Sequence, residues 1–222
     1  MKKNAFITST GTNIGKTFLT KMLINRAIGL NYKVNAIKPI ISGFSTNNFN
    51  ESDTGIMMNA LKVLKKDINK ISPWRFKEPL SPDIAAQNEG KLINFEELMQ
   101  FCKKNINNKN NDLTLIEGVG GTMVPINDKY TLMDLIINLN IPVILTIGSY
   151  LGSISHTLNA YEILNKNNIN INSIVVMQSK DNDVGIEHTI NSIKNHIMKI
   201  PIFSFKRNDL DYIEVDKIIK NL

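Results

Sequence analysis

Between Ser9 and Thr17 the chain reads Ser-Thr-Gly-Thr-Asn-Ile-Gly-Lys-Thr. A lysine held between a glycine and a threonine, ahead of apolar residues at helical spacing, suits the gripping of phosphate. Glycine lets the main chain approach an anion, and a helix N-terminus offers unsatisfied amides and a favourable dipole. Lys16 would reach the terminal phosphates and the Thr17 hydroxyl would hold Mg2+. Other reactive groups follow: Lys38 opens Lys-Pro-Ile-Ile-Ser-Gly, Asp53 follows Ser52, and Glu117 opens Glu-Gly-Val-Gly-Gly. With Lys16 engaged by a nucleotide, an ammonium at Lys38 suggests a second anionic group, such as a carboxylate or a phosphoryl-transfer intermediate. Glu117, at the tip of an apolar run, suits a carboxylate that supports Mg2+ beside phosphates. Asp53 is readable two ways, as a metal ligand or as the negative charge of a helix's first turn.

These residues need a frame that brings them together. Short apolar runs predict strands at 5–8, 34–37, 113–116, 143–147 and 174–177, with a last one near 202–205. Helical spacing fills the intervals at 17–29, 53–66, 95–106, 131–139, 155–166 and 185–197. Wholly apolar strands alternating with helices predict an α/β fold in one domain. It is a doubly wound, mostly parallel sheet with helices on both faces, of the phosphate-loop NTPase type. In such a sheet ligands gather beyond the carboxyl ends of the strands. The strand ends here carry the phosphate loop and the polar or glycine-rich segments 38–43, 117–121 and 148–153.

Composition narrows the function classes. The chain has 222 residues, 42% hydrophobic and 21% charged, with a formal net charge of +6. Its lysines are scattered in singles and pairs, so no nucleic-acid partner is expected. Neither a signal-like apolar segment nor a run long enough to span a bilayer occurs, so the expected setting is cytoplasmic, with no membrane partner. The one cysteine, Cys102, excludes an internal disulfide and falls in an amphipathic stretch, where a packed thiol is expected. His156, His188 and His196 show no metal-ligand spacing and receive no catalytic role.

Taken in order, the motifs are Thr-x-Thr-x-x-Gly-Lys-Thr at 10–17, Lys-Pro-x-x-Ser-Gly at 38–43, Ser52-Asp53, Glu-Pro-Leu-Ser-Pro at 78–82, Glu-Gly-x-Gly-Gly at 117–121 and Leu-Gly-x-Ile at 151–154. This series resembles the dethiobiotin synthetase family, from the first strand to the Ile-Pro at 200–201. The resemblance implies an ATP- and Mg2+-dependent cyclo-ligase of biotin synthesis. Such an enzyme joins CO2 to 7,8-diaminopelargonic acid and closes a ureido ring, through a carbamate and a carbamic–phosphoric anhydride. It also implies a homodimer.

Carried over by position, the resemblance makes Lys38 and Lys16 catalytic. It assigns the nucleotide to Asn13, Ile14, Gly15, Lys16, Thr17, Phe18, Asp53, Glu117, Gly118, Val119 and Gly120, and Mg2+ to Thr17, Asp53 and Glu117. Thr12 and Ser42 would contact diamine or carbamate, while Gly152, Ser153 and Ser155 would take the substrate's carboxylate tail at a helix N-terminus. Ser9, Gly11, Asn13, Asp83 and Ser155 depart from the residues common in the family. So does Gln178, which stands where an adenine-reading Asn is usual. The base is therefore expected at Gln178, or at the main chain of Ile200, Pro201 and Ile202. The rival reading is a partition-type ATPase acting on DNA or membrane. Such proteins carry a lysine early in the phosphate loop, where this chain has Gly11, and lack Lys-Pro-x-x-Ser-Gly.

Overall fold

Strands dominated by apolar side chains need cover on both faces, and the computed structural model shows that cover. It describes residues 2–180, 184–207 and 211–222. In chain order the elements are β1 (Lys3–Ser9), α1 (Lys16–Gly29), β2 (Val34–Ile37), β3 (Ile40–Ile41), α2 (Asp53–Leu61), β4 (Trp74–Arg75), α3 (Pro82–Asn88) and α4 (Phe95–Ile106). Then follow β5 (Leu113–Glu117), α5 (Leu132–Leu139), β6 (Val143–Gly148), α6 (Ser153–Lys166), β7 (Ile171–Met177), α7 (Ile186–Lys194), β8 (Ile202–Phe205) and α8 (Tyr212–Asn221).

Six strands form one parallel sheet in the order β2-β5-β1-β6-β7-β8. Side chains alternate across a strand, so each strand feeds two cores. Phe6, Ile116, Leu145 and Val176 point to one face, under α4, α5, α6 and α7, where they meet Leu98, Cys102, Ile136, Leu164 and Ile193. Ile7, Leu115, Ile144 and Val175 point to the other, under α1 and α8, where they meet Leu19, Leu23 and Ile218. Truncating a buried leucine in either layer costs about 2–5 kcal/mol. Burial pushes the Cys102 thiol up to about 12, as a packed cysteine requires. Among the described residues no helix is long and apolar enough to cross a membrane.

Helix starts follow capping chemistry. Asn94 accepts from the amides of Glu96 and Glu97, and the Thr131 amide donates to the Asp134 carboxylate. Ser52 accepts from the Gly55 amide at 3.1 Å, so Ser52 is the cap of α2 and Asp53 stands in its first turn. The predicted helix 53–66 stops at Leu61, because Lys62 adopts φ +57° and closes the helix left-handed. The sequence pattern missed β3, β4, α3 and α8. β3 and β4 are two residues each and pair in parallel, Ile40 with Trp74 and Ile41 with Arg75.

That small ribbon matters to the site. The Gly43 amide donates to Glu78 O at 2.9 Å and the Phe44 amide to Phe76 O at 2.8 Å. Two motifs far apart in the chain, Lys-Pro-x-x-Ser-Gly and Glu-Pro-Leu-Ser-Pro, are thereby laid side by side.

Candidate active site

The chain leaves β1 at Ser9, and the Thr10 amide donates to Thr146 O on β6. It then turns into α1 through Gly15, whose φ of +105° suits glycine and whose α-carbon faces Met177, with a methyl there falling 3.0 Å from that side chain. No side chain caps α1 and no acid occupies its first turn. The first amides of α1 are therefore left for an anion in the cleft.

Lys16 is buried and turned back on its own loop. Its Nζ donates to Ser9 Oγ at 2.8 Å, Gly11 O at 2.9 Å and Gly120 O at 2.8 Å. Burial, reinforced by the nearby Lys38 charge, lowers its pKa to about 8 against the opposing pull of Glu117 and Asp53. The chain thus holds an ammonium at the foot of the loop among oxygens that phosphate oxygens can replace.

Lys38 is buried at the carboxyl end of β2. Its Nζ contacts Glu117 Oε1 at 2.8 Å, Asp53 Oδ2 at 3.2 Å and Gly118 O at 3.2 Å. Burial acts to lower its pKa, but the Glu117 and Asp53 carboxylates outweigh burial and raise it above an ordinary lysine. Desolvation works against the Asp53 carboxylate too, yet Lys38 and the Thr17 hydroxyl hold its pKa below the usual range. Lys38 is therefore a fixed ammonium at neutral pH.

Thr17 Oγ1 donates to Glu117 Oε1 at 2.8 Å. Glu117 Oε2 is buried with no hydrogen-bond partner, and so is Ser42 Oγ across the cleft. A buried carboxylate oxygen without a partner is costly unless something is meant to reach it. Two carboxylates and a hydroxyl that converge around a cation are hard oxygen donors of the kind Mg2+ takes. Among the described residues no group of three or more His, Cys, Asp or Glu gathers, here or elsewhere, so this site offers two carboxylates and a hydroxyl.

These groups line one cleft of about 910 Å³. Its phosphate end holds Thr12 to Phe18, Lys38, Ser42, Asp53, Val119 and Gly120, with the wall 79–82 opposite. Its other end is formed by the carboxyl ends of β7 and β8: Met177, Gln178, Ser179, Lys180, Phe205, Lys206 and Arg207. There the Gln178 amide donates to Phe205 O at 3.0 Å, and Gln178 Oε1 accepts from the Arg207 amide at 2.8 Å.

Residues 3–204 match the family described as an AAA domain. The ATP-dependent dethiobiotin synthetase BioD of Phenylobacterium zucineum is 37% identical over 206 residues, covering 91% of this chain and 88% of its own. That of Acidiphilium cryptum is 38% identical over 199 residues, covering 88% and 89%. The chain belongs to the dethiobiotin synthetase family.

Similar solved structures show the fold at greater distance. Hydrogenase maturation factor HypB of Archaeoglobus fulgidus aligns at a TM-score of 0.57 and 13% identity, covering 99% of this chain and 89% of that one. The MinC:MinD cell division protein complex of Aquifex aeolicus aligns at 0.59 and 15%, covering 97% and 86%. Identity so low speaks for the fold alone.

Within this dethiobiotin synthetase family member, most expected site residues meet and some do not. Thr12, Asn13, Ile14, Gly15, Lys16, Thr17, Phe18, Lys38, Ser42, Asp53, Val119, Gly120 and Gln178 all line the cleft. Glu117 and Gly118 join them through Lys38. Ile200, Pro201 and Ile202 do not. Ile202 pairs with Ile174, and Pro201 O accepts from the Ile174 amide, so these three mark the amino end of β8. Three steps along the strand, about 10 Å at roughly 3.3 Å each, separate Ile202 from Phe205 at the cleft. The expected contact of their main chain with the cleft is thus not found; the other end of the same strand lines it.

Phe205, Lys206, Arg207, Ser179 and Lys180 were missed, although a correct strand at 202–205 and the carboxyl-end rule together point to them. Gly152, Ser153 and Ser155 sit beyond β6 but are not among the residues lining this cleft. Gly152 precedes α6, Ser153 is buried with its Oγ unpartnered, and Ser155 is exposed.

Proposed function

We propose that this chain is an ATP-dependent ligase that carboxylates 7,8-diaminopelargonic acid with CO2 and closes the ureido ring of dethiobiotin. One amine adds to CO2, losing a proton and leaving a carbamate. A carbamate oxygen attacks the γ-phosphorus of ATP, and ADP departs, giving a carbamic–phosphoric anhydride. The second amine attacks the carbamoyl carbon, the bond to phosphate breaks, and the ring closes as that amine loses a proton.

The observation that carries this reading is the second ammonium. Lys16 serves the nucleotide, while Lys38 stands fixed between Asp53 and Glu117 on the same cleft. A permanent positive charge aimed where carbamate and transferring phosphoryl charge meet stabilises that charge more than it stabilises the neutral diamine. Lys16 and the amides from Asn13 to Thr17 would bind the phosphates. Thr12 and the unpartnered Ser42 hydroxyl would hold the carbamate or the adjacent amine. Thr17, Asp53 and Glu117 would hold Mg2+, which when bound neutralises charge on the β- and γ-phosphates.

The substrate's carboxylate tail would lie at the start of α6, near Gly152, Ser153 and Ser155, where no acidic side chain occupies the first turn. The protein would act as a homodimer. The same reading includes no nucleic-acid or membrane partner. Its test is dependence of ADP release on the diamine. Turnover of ATP that rises steeply when diaminopelargonic acid and bicarbonate are both added supports it, and ADP release indifferent to the diamine refutes it.

A further inference from the structure

Loops that leave β6 and β7 are tied to each other by a pair of reciprocal bonds. The Ser149 amide donates to Ser179 Oγ at 2.9 Å, and the Ser179 amide donates to Ser149 Oγ at 3.1 Å. One bond between two loops fixes a distance, whereas two bonds running in opposite directions also fix their relative rotation. β6 and β7 are neighbours up to Gly148 and Met177, so the clamp begins where the sheet's own ladder ends.

Gly148 is what permits it. A methyl at Gly148 would fall 2.6 Å from Ser179 Oγ and 2.8 Å from the Tyr150 ring, closer than packed atoms allow. Beyond the clamp, Tyr150 Oη and His156 Nδ1 lie 2.8 Å apart, which ties the loop's tip to the first turn of α6. The segment 148–156 is thus anchored at its base to Ser179 and at its tip to its own helix. Ser179 in turn lines the cleft between Gln178 and Lys180. Ser149 is fully buried beneath it.

We propose that Ser179 is a positioning residue that sets the substrate-tail loop from the nucleotide's base wall, acting through Ser149. The clamp makes one rigid piece of two loops that belong to different ligands, so a nucleotide seated against Ser179 also holds the tail loop in its binding position. The inference rests on the proposed seat of the substrate's tail at 148–155.

The test is the split among nucleotide affinity, diamine KM and kcat in Ser179→Ala, with Ser179→Thr as the variant that keeps the hydroxyl. At saturating ATP, Ser179→Ala raises the KM for the diamine about tenfold, an ordinary coupling between sites. Because Ser179 also lines the nucleotide's cleft, some loss of Mg-ADP affinity accompanies the change, but the rise in diamine KM exceeds it severalfold, kcat stays near wild type, and Ser179→Thr restores KM. An unchanged KM in Ser179→Ala overturns the proposal. So does a joint fall of melting temperature, nucleotide affinity and kcat, which marks a merely structural bond, and so does failure of the threonine to restore KM. A wild-type protein that forms no cyclic urea from the diamine refutes the underlying function before any variant is measured.

Discussion

The two ends of the cleft are built differently. At the phosphate end Lys16, Lys38 and Glu117 are buried and each contacts another reactive group or the loop itself. At the other end, the proposed base end, the wall is made of strand termini, joined by main-chain bonds such as the Gln178 amide to Phe205 O. A buried network of charges leaves each member no substitute, because removing one strands its partners without water. A wall of backbone and half-exposed side chains tolerates change, since the main chain supplies the same groups whatever the residue. Substitutions at the phosphate end are therefore expected to cost far more than those at the base end.

The strongest test of that contrast is Lys38→Ala. Turnover falls by more than about a hundredfold, roughly 3 kcal/mol of transition-state stabilisation, while nucleotide affinity stays nearly intact. Steady-state kinetics beside nucleotide titration checks both halves, and survival of turnover contradicts the role given to Lys38. Lys16→Ala comes next. It weakens nucleotide binding and rate together, by about tenfold each, because the same ammonium serves the phosphates before and during transfer.

Glu117→Gln removes one of the two carboxylates that hold Lys38. The loss of charged hydrogen bonds costs about 2 kcal/mol, which lowers the melting temperature by roughly 4–8 °C in a chain of this size. Thermal unfolding measures it, and a variant as stable as wild type contradicts a coupled network. The smallest effects belong to the base end. Gln178→Ala, and replacement of ATP by CTP or GTP, change kcat/KM by no more than about tenfold, or 1.4 kcal/mol. A nucleotide panel in which ATP is a thousandfold better removes the contrast between the ends.

The same contrast explains what the sequence revealed. Apolar runs such as 113–116 and 143–147 announced their strands because both faces are buried, and the residues at their tips followed from the carboxyl-end rule. Lys38, Glu117 and the phosphate loop were legible for that reason. Asp53 was not decidable from spacing: it stands in a helix's first turn, as one reading expects, and its carboxylate also reaches into the cleft to touch Lys38. The ribbon of Ile40–Ile41 with Trp74–Arg75 is too short for any periodicity, and its pairing joins segments far apart in the chain. At the far end of the cleft Gln178, one of the two expected seats of the base, lines the wall, whereas Ile200–Ile202 mark the opposite end of β8 from the cleft-lining Phe205. Backbone-built walls leave few side-chain signatures to read.

The measurement that bears most directly on the whole account is isotope transfer. Incubation of the protein with diaminopelargonic acid, labelled bicarbonate, Mg2+ and ATP should place the label in a cyclic urea, one equivalent for each ADP formed. ADP accumulating with no label in a cyclic product would contradict it.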